Sequence, residues 1–217
     1  MKTDAQVQQD VMAELKWEPA VTATRIGVAV NDGIVTLTGH VDSFTEKWEA
    51  TRAAQRVTGV QGITTEIEVA LPGESHRDDA DIARTAENIL QWVTYVPRES
   101  VKVSVENGWV TLTGELSWEY QKRAAERAVR HLMGVRGVSD QIAIKHAVFE
   151  SDVQGDIKAA LQRQANQDAH GISVMVDGDS VTLTGTVNSW WERDLARRSA
   201  WNAAGVHKVV DNIVVAR

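Results

Sequence analysis

The side chains with the clearest potential for chemistry are arginines in the middle of the chain. Arg123, Arg127 and Arg130 recur at spacings of four and three residues, which places them on one face of a helix. Guanidinium groups in a row can bind phosphate through charge and bidentate hydrogen bonds. Each basic group beside an anionic bilayer contributes about 1 kcal/mol. The alternative is a solvated helix face with local pairs such as Glu126–Arg130. Basic residues recur at two further sets of matched positions: Lys47, Lys122 and Arg193, and Arg52, Arg127 and Arg198.

Aromatic residues gather just before or within the start of the same helices. A helix N-terminus presents free amides that suit an anion, and tryptophan favours the boundary between water and lipid. Rings beside arginines therefore predict a site for lipid headgroups. The alternative is that a ring covers the end of a core or a contact between units. The predicted lipid-binding residues are Phe44, Trp118, Tyr120, Trp190, Trp191, Lys122, Arg123, Arg127, Arg130, Arg193 and Arg198.

Two pairs of tryptophans carry more specific expectations. Trp190 and Trp191 are adjacent and point in different directions on a helix, so only one of them is expected to be buried. Trp17 and Trp92 occupy matched positions, and we expect both to pack against a sheet edge in a structural role.

The residue types and spacings do not indicate catalysis. The chain has no cysteine, and its six histidines never pair at the spacing of metal ligands. It also lacks a phosphate loop, a nucleophile elbow and a dinucleotide fingerprint. We therefore expect no enzymatic activity, no metal and no cofactor.

Nucleic acid is also disfavoured as a partner. The formal net charge is −7, whereas nucleic-acid binding calls for a basic surface. Residues Gly59–Gly62 and Gly134–Gly137 resemble the glycine loop that clamps single-stranded RNA. A plain turn between helix and strand is the favoured interpretation, and RNA binding is the weakest of the functions considered.

These side chains belong to a repeated structural unit. The segment Val-Thr-Leu-Thr-Gly occurs three times, ending at Gly39, Gly114 and Gly185, and a Gly-Val pair follows each glycine after twenty residues. The first two copies align without a gap at an offset of 75 residues, and the third follows at an offset of 71. Such recurrence predicts three tandem copies of one small domain.

Each copy has the same order of predicted elements. A first helix carries an apolar stripe, as in Val7, Val11 and Leu15, with an acidic residue at its start. Two alternating strands are joined by an Asp-Gly or Asn-Gly hairpin turn, and the final glycine of the motif is expected to turn the chain sharply. A second helix and a last strand follow. The predicted N-caps are Asp42, Ser117 and Asn188, or in two copies the next residue, Ser43 and Ser189. The second helix is expected to run to the Gly-Val pair, with the glycine as a left-handed C-cap.

The predicted fold is therefore α+β, with three tandem α-β-β-α-β two-layer sandwich domains, each with two helices on a three-stranded mixed sheet. The predicted boundaries are 1–71, 77–146 and 150–217, here called units 1, 2 and 3.

This pattern resembles the BON domain family. The resemblance rests on the hairpin ending in Val-Thr-Leu-Thr-Gly, the Gly-Val pair twenty residues later, and the final isoleucine at Ile67, Ile142 and Ile213. It covers nearly the whole chain. It implies bacterial osmotic-stress or envelope association, no catalysis, and binding of anionic phospholipid or envelope components.

Two functions from different classes follow. The first is a non-enzymatic protein that binds anionic phospholipid or envelope proteins. The second is a homo-oligomeric assembly module, of which a ring that encloses a passage for small solutes is one form. The N-terminus has no apolar region typical of a secretory signal, and no apolar run is long enough to span a bilayer. We therefore expect a cytoplasmic protein without a transmembrane segment and with possible peripheral association with the membrane or envelope.

Overall fold

Each Val-Thr-Leu-Thr-Gly segment forms the central strand of a three-stranded sheet. The computed structural model describes residues 2–145, 172–178, 180–203, 206 and 208–216. Unit 1 contains α1 (Asp4–Trp17), β1 (Ile26–Asn31), β2 (Ile34–Val41), α2 (Phe44–Arg56) and β3 (Gly62–Val69). Unit 2 contains α3 (Asp79–Trp92), β4 (Val101–Glu106), β5 (Trp109–Leu116), α4 (Glu119–Arg130) and β6 (Gly137–Ile144). Unit 3 contains β7 (Ile172–Asp177), β8 (Ser180–Val187), α5 (Trp190–Trp201) and β9 (Lys208–Val215).

Two further predictions cannot be compared with these elements. The first helix of unit 3, predicted around Val153, Ile157 and Leu161, lies outside the described residues, and so does the linker at 146–150. Short 3-10 helices occupy Ala23–Arg25 and Gly73–Ser75.

The sheets are mixed, as predicted. In unit 1, β2 pairs with β1 in antiparallel fashion and with β3 in parallel, and the other two sheets repeat this order. Val35 and Leu37 point inward and are fully buried, while Thr36 and Thr38 alternate with them and point to the other face. Burying each aliphatic side chain contributes about 1.5–3 kcal/mol, so the alternating motif supplies the centre of each core.

The first helices of units 1 and 2 cover their sheets with apolar stripes. Val7, Val11 and Leu15 of α1 are buried, and Ile82 and Leu90 of α3 match the first and last of them. The acidic residue at the helix start also holds the hairpin. The Asp4 carboxylate accepts hydrogen bonds from the backbone N–H groups of Asp32 and Gly33 at 2.8 and 3.0 Å.

The last glycine of the motif has a different role from the one predicted. Gly39 lies inside β2 and does not turn the chain, so that prediction is wrong. Its φ is 125°, and a Cβ there would lie 2.1 Å from the carbonyl oxygen of Arg25. The glycine is required because the neighbouring backbone approaches too closely for any side chain. Gly114 repeats the geometry against Ser100.

The ends of the second helices also differ from the first prediction. The N-caps are Ser43, Trp118 and Ser189, so the later alternative is confirmed in units 1 and 3 and the earlier one is wrong. At the other end α2 stops at Arg56, so Gly59 is not a C-cap. It lies in the following turn with φ 97°.

Candidate functional site

The second helices bring the three units together. Phe44 of α2 packs against the core of unit 2, and Thr45 donates a hydrogen bond from Oγ1 to the carbonyl of Arg130 at 3.3 Å. Trp190 of α5 packs against the core of unit 1. Glu119 occupies the equivalent position on α4 and interacts electrostatically with Arg197 of unit 3. The first residue of each second helix therefore reaches the next unit in cyclic order.

A cleft of about 470 Å³ lies where these helices meet. We call it the arginine cleft, because seven arginines line it against four carboxylates. The arginines are Arg52, Arg123, Arg127, Arg130, Arg193, Arg197 and Arg198. The carboxylates are Glu119, Glu126, Asp194 and Asp211, and the lining indoles are Trp48, Trp190 and Trp201. An excess of positive charge in a partly closed space favours an anion.

Several of the arginines already have carboxylate partners. Arg130 Nη2 lies 2.5 Å from Glu126 Oε1, and Arg193 Nε lies 2.9 Å from Asp211 Oδ2. The pair predicted within α4 is therefore present. Among the described residues, no carboxylate pairs with Arg52 or with Arg127.

An indole holds two of the guanidinium groups in position. The Arg130 guanidinium lies 3.7 Å from the centre of the Trp48 ring, and that of Arg52 lies 4.7 Å from it. Such cation–π contacts contribute about 0.5–2 kcal/mol, with the larger value in desolvated sites. The Arg130 side chain is only 5% exposed, so its contact with Trp48 is of the desolvated kind.

The cleft also contains buried donors that make no hydrogen bond. In the described part of the chain, the buried side-chain polar atoms without a hydrogen bond are Nε of Arg123, Nε of Arg130, Nη2 of Arg198 and Nε1 of Trp190. The Nε of Arg123 still lies 3.7 Å from Glu119 Oε1, within ion-pair distance. All four residues line the cleft. Each atom is a nitrogen that can only donate, so the group that would satisfy them is an acceptor.

Burial changes the ionisation of two cleft residues. It raises the pKa of the Glu119 carboxyl, although the charges of Arg123 and Lys122 pull that pKa down. Burial likewise lowers the pKa of the Arg123 guanidinium, against the attraction of Glu119, and nearby Arg198 lowers it further. The low-dielectric surroundings that cause both shifts would strengthen any interaction with a bound ion.

A second candidate region lies at the start of α4. The ring of Tyr120 meets that of Tyr95 edge-on at 5.8 Å and stacks on that of Trp118 at 6.4 Å. We call these three residues the aromatic cluster. Tyr95 is 62% exposed and Tyr120 is 46% exposed, so the cluster presents ring surface to solvent.

Trp118 of the aromatic cluster occupies the N-cap position that holds serine in units 1 and 3. In units 1 and 3 the hydroxyls of Ser43 and Ser189 accept hydrogen bonds from the amides of Glu46 and Glu192. Trp118 at the equivalent position has no hydroxyl, and the amide of Gln121 donates instead to the backbone carbonyl of Trp118 at 3.1 Å. A serine cap typically contributes about 1 kcal/mol, so helix stability alone does not explain the tryptophan.

The structure divides the predicted lipid-binding residues among different surroundings. The arginine cleft takes Arg123, Arg127, Arg130, Arg193, Arg198 and Trp190, and the aromatic cluster takes Trp118 and Tyr120. Phe44 is half-buried against unit 2. Lys122 donates from Nζ to the carbonyl of Ile142 at 2.8 Å, so it serves its own sheet. Trp191 is exposed and Trp190 is half-buried, so the two rings differ in burial as predicted, but neither is fully buried.

Sequence reasoning missed several residues of both regions. Trp48 and Trp201 of the cleft and Tyr95 of the cluster were not predicted. Trp48 and Trp201 lie within the second helices, whereas the prediction concerned aromatic residues at the helix starts. The prediction for Trp17 and Trp92 is wrong, because these side chains are 83% and 85% exposed and do not pack on a sheet edge.

The described residues offer neither a metal-binding cluster nor a membrane-spanning helix. They contain no group of three or more histidine or acidic residues able to hold a metal ion. They also contain no helix with the length and apolar character needed to cross a membrane.

Comparison with known proteins identifies the family. The model of the BON domain matches residues 3–70, 78–146 and 150–217. The chain belongs to the BON domain family. This BON-domain chain is also similar to osmotically-inducible protein Y of Escherichia coli strain K12, with 29% identity over 146 residues. That alignment covers 65% of this chain and 73% of the relative.

Likeness to solved structures is weaker. The C-terminal domain of CdsD, a structural protein of the type III secretion system of Chlamydia trachomatis, is 16% identical at full coverage of both chains, with a TM-score of 0.27. The periplasmic domain of PrgH is 14% identical, with 89% of this chain and 96% of that one covered and a TM-score of 0.23. TM-scores this low do not establish that these proteins share an arrangement of domains with this chain.

Proposed function

We propose that this BON-domain protein is a non-enzymatic binding protein of the bacterial stress or envelope-maintenance type. We propose further that it contacts anionic phospholipid through the aromatic cluster. Membership in the BON family and similarity to a protein named for osmotic induction support the general class. The observation that supports the membrane contact is that Tyr95 and Tyr120 pack together beside the start of α4 with their rings exposed.

The rings of the aromatic cluster are suited to the interface between lipid and water. Tyrosine and tryptophan combine an apolar ring with a polar tip, so they gain most where lipid meets water. The exposed Arg98 follows Tyr95 within the same loop and adds a positive charge suited to an anionic headgroup. The net charge of −7 opposes approach to such a surface, but screening over about 8 Å leaves local groups dominant.

The missing serine cap supports the same proposal. A residue that breaks a local stability rule is often retained for binding, because folding alone would favour its replacement. Helix stability favours serine at this N-cap position, as in Ser43 and Ser189, whereas unit 2 has Trp118 there.

Vesicle flotation tests the proposal. We expect the full chain to float with phosphatidylcholine vesicles that contain phosphatidylglycerol, and much less with phosphatidylcholine alone. The double variant Tyr95→Ser/Tyr120→Ser should lose most of this binding. Trp109→Ser is the matched control, since it removes another half-exposed ring of unit 2. Absence of flotation in the full chain, or an equal loss in the control, would contradict the proposal.

A second candidate, homo-oligomeric assembly, is favoured by Trp17 and Trp92. Both rings are more than four-fifths exposed at equivalent helix ends, and exposed indoles are common anchors of protein interfaces. Glu14 and Glu18 lie beside Trp17, and both carboxylates pair with Arg56, at 2.7 and 2.9 Å. Light scattering should report a mass above the monomer that Trp17→Ser/Trp92→Ser reduces. A monomer at all concentrations excludes this function.

A further inference from the structure

We propose that the arginine cleft is a binding site for a phosphate-bearing small molecule or headgroup, formed jointly by the three units. This inference goes beyond the membrane contact of the aromatic cluster and does not depend on it, because the two regions share no residue.

The unpaired donors are the first argument. A buried donor without a hydrogen bond is costly, and more so when it is charged. Arg123, Arg130 and Arg198 each leave a buried guanidinium nitrogen without a hydrogen bond, and the Trp190 indole N–H adds a fourth. The Nε of Arg123 lies 3.7 Å from Glu119 Oε1, too far for a hydrogen bond. Native proteins keep few such atoms, so their concentration in one cleft indicates a bound group with several acceptor oxygens.

The charge balance is the second argument. Seven arginines face four carboxylates, and Arg52 and Arg127 pair with no carboxylate of the described residues. A ligand that carries negative charge would offset the repulsion among these cations. Arginine is suited to the task because its planar fork binds oxyanions through two parallel bonds.

The arrangement of the arginines favours phosphate over carboxylate. Arg52, Arg127 and Arg198 occupy equivalent positions on three separate helices, so their side chains enter the cleft from three elements. The oxygens of a phosphate point in tetrahedral directions and can accept from all three, whereas the two oxygens of a carboxylate lie in one plane. At about 470 Å³, the cleft is of the size of small-molecule sites and exceeds a single phosphate ion.

Depth distinguishes this site from a membrane-facing patch. Arg130 is 5% exposed, and it is held between Glu126 on its own helix and Trp48 on α2. A flat bilayer surface does not reach such a side chain, whereas a small molecule or a single protruding headgroup does.

Calorimetry on the full chain tests the site, with pyrophosphate as the probe and citrate as the carboxylate comparison at equal ionic strength. We expect pyrophosphate to bind and citrate to bind at least about tenfold more weakly. Arg52→Gln/Arg127→Gln should weaken pyrophosphate binding by about tenfold or more, since each change removes a charged donor. Arg84→Gln is the matched control, because it removes an exposed arginine of α3 outside the cleft. Circular dichroism melting verifies that each variant is folded.

The outcomes separate clearly. No binding of pyrophosphate by the folded full chain, equal binding of citrate, or an equal loss in Arg84→Gln would overturn the proposal. Flotation of Arg52→Gln/Arg127→Gln with anionic vesicles identifies the source of the phosphate. Lost flotation together with lost pyrophosphate binding assigns the site to a lipid headgroup, and unchanged flotation assigns it to a free phosphate compound. Failure of the full chain to float contradicts the membrane proposal and leaves the cleft proposal in place.

Discussion

The arginine cleft and the aromatic cluster both use residues of α4, but they differ in how many units form them. The cleft needs side chains from α2, α4 and α5, and it contains a side chain as deeply buried as Arg130. The cluster needs only unit 2, and its tyrosines face solvent. The contrast follows the repeat. Arg52, Arg127 and Arg198 are equivalent positions that meet in one cavity between units, whereas Trp118 has no aromatic counterpart at Ser43 or Ser189.

Position within the repeat decides which kind of region results. The N-cap position holds serine, tryptophan and serine in the three units, and only the tryptophan contributes a ring, which is half-buried beside the exposed Tyr120. One residue further along, Phe44, Glu119 and Trp190 all point to a neighbouring unit. A shift of one residue along the helix therefore separates a surface function from a function that depends on all three units.

The largest effect is expected from a change that unfolds unit 1 alone. In Gly39→Val the new side chain meets the carbonyl of Arg25 at a φ of 125°, and we expect a loss of at least about 3 kcal/mol. Pyrophosphate binding should disappear because Trp48 and Arg52 are displaced, while vesicle flotation persists. Circular dichroism and flotation measure the two outcomes. Val30→Ala, a modest truncation at the edge of the same core, serves as the control and should retain both.

A smaller loss is expected from Arg130→Lys. Lysine keeps the charge but lacks the planar fork that meets Glu126 and lies over the Trp48 ring. We expect pyrophosphate affinity to fall about tenfold and stability to fall by about 1–2 kcal/mol, measured by calorimetry and urea unfolding. Flotation should not change. An equal decrease in flotation would assign the cleft to a lipid headgroup.

The variant Trp118→Ser separates stability from binding. Restoring a serine cap gains about 1 kcal/mol, and losing the stack on Tyr120 costs about 0.5–1.5 kcal/mol. The free energy of unfolding should therefore change little, whereas flotation with anionic vesicles should fall several-fold. Unchanged flotation would remove Trp118 from the membrane contact. The reverse change at the equivalent cap, Ser43→Trp, is the control and should only destabilise.

The smallest effect concerns pH. Burial raises the pKa of the Glu119 carboxyl, so this group becomes neutral at a higher pH than ordinary glutamates as the solution is acidified. Lys122 and Arg123 on its own helix, Asp140 of β6 and Arg197 of α5 face it. Loss of its negative charge makes the cleft more positive, so sulfate, which does not titrate in this range, should bind a few-fold more tightly below that pKa. Glu119→Gln should bind sulfate tightly at both pH values, and a persistent pH dependence in this variant would assign the effect elsewhere.

The sequence was most informative where one repeat contains the whole pattern. Alternation in Val35 and Leu37 and the hairpin turn at Gly33 were predicted correctly because strand period and turn chemistry are local. The role of Gly39 was not predicted, because the close approach of Arg25 depends on strand register. Register is a tertiary property that a motif does not display.

The candidate site follows the same rule. The shared face of Arg123, Arg127 and Arg130 is a helical property, and the sequence located it. What the face meets depends on how separate units pack, so Trp48 could not be assigned to it. Trp17 was misjudged for a related reason: its match in unit 2 suggested a conserved packing role, and both copies are exposed.

The cyclic contact order has a consequence for synthesis on the ribosome. Phe44 meets its partner once unit 2 has folded, but Trp190 reaches unit 1 only after α5 has been synthesised. Until then the guanidinium groups of α2 and α4 remain open on the side that α5 covers. The proposed cleft would thus be completed only when the third of its helices has left the ribosome.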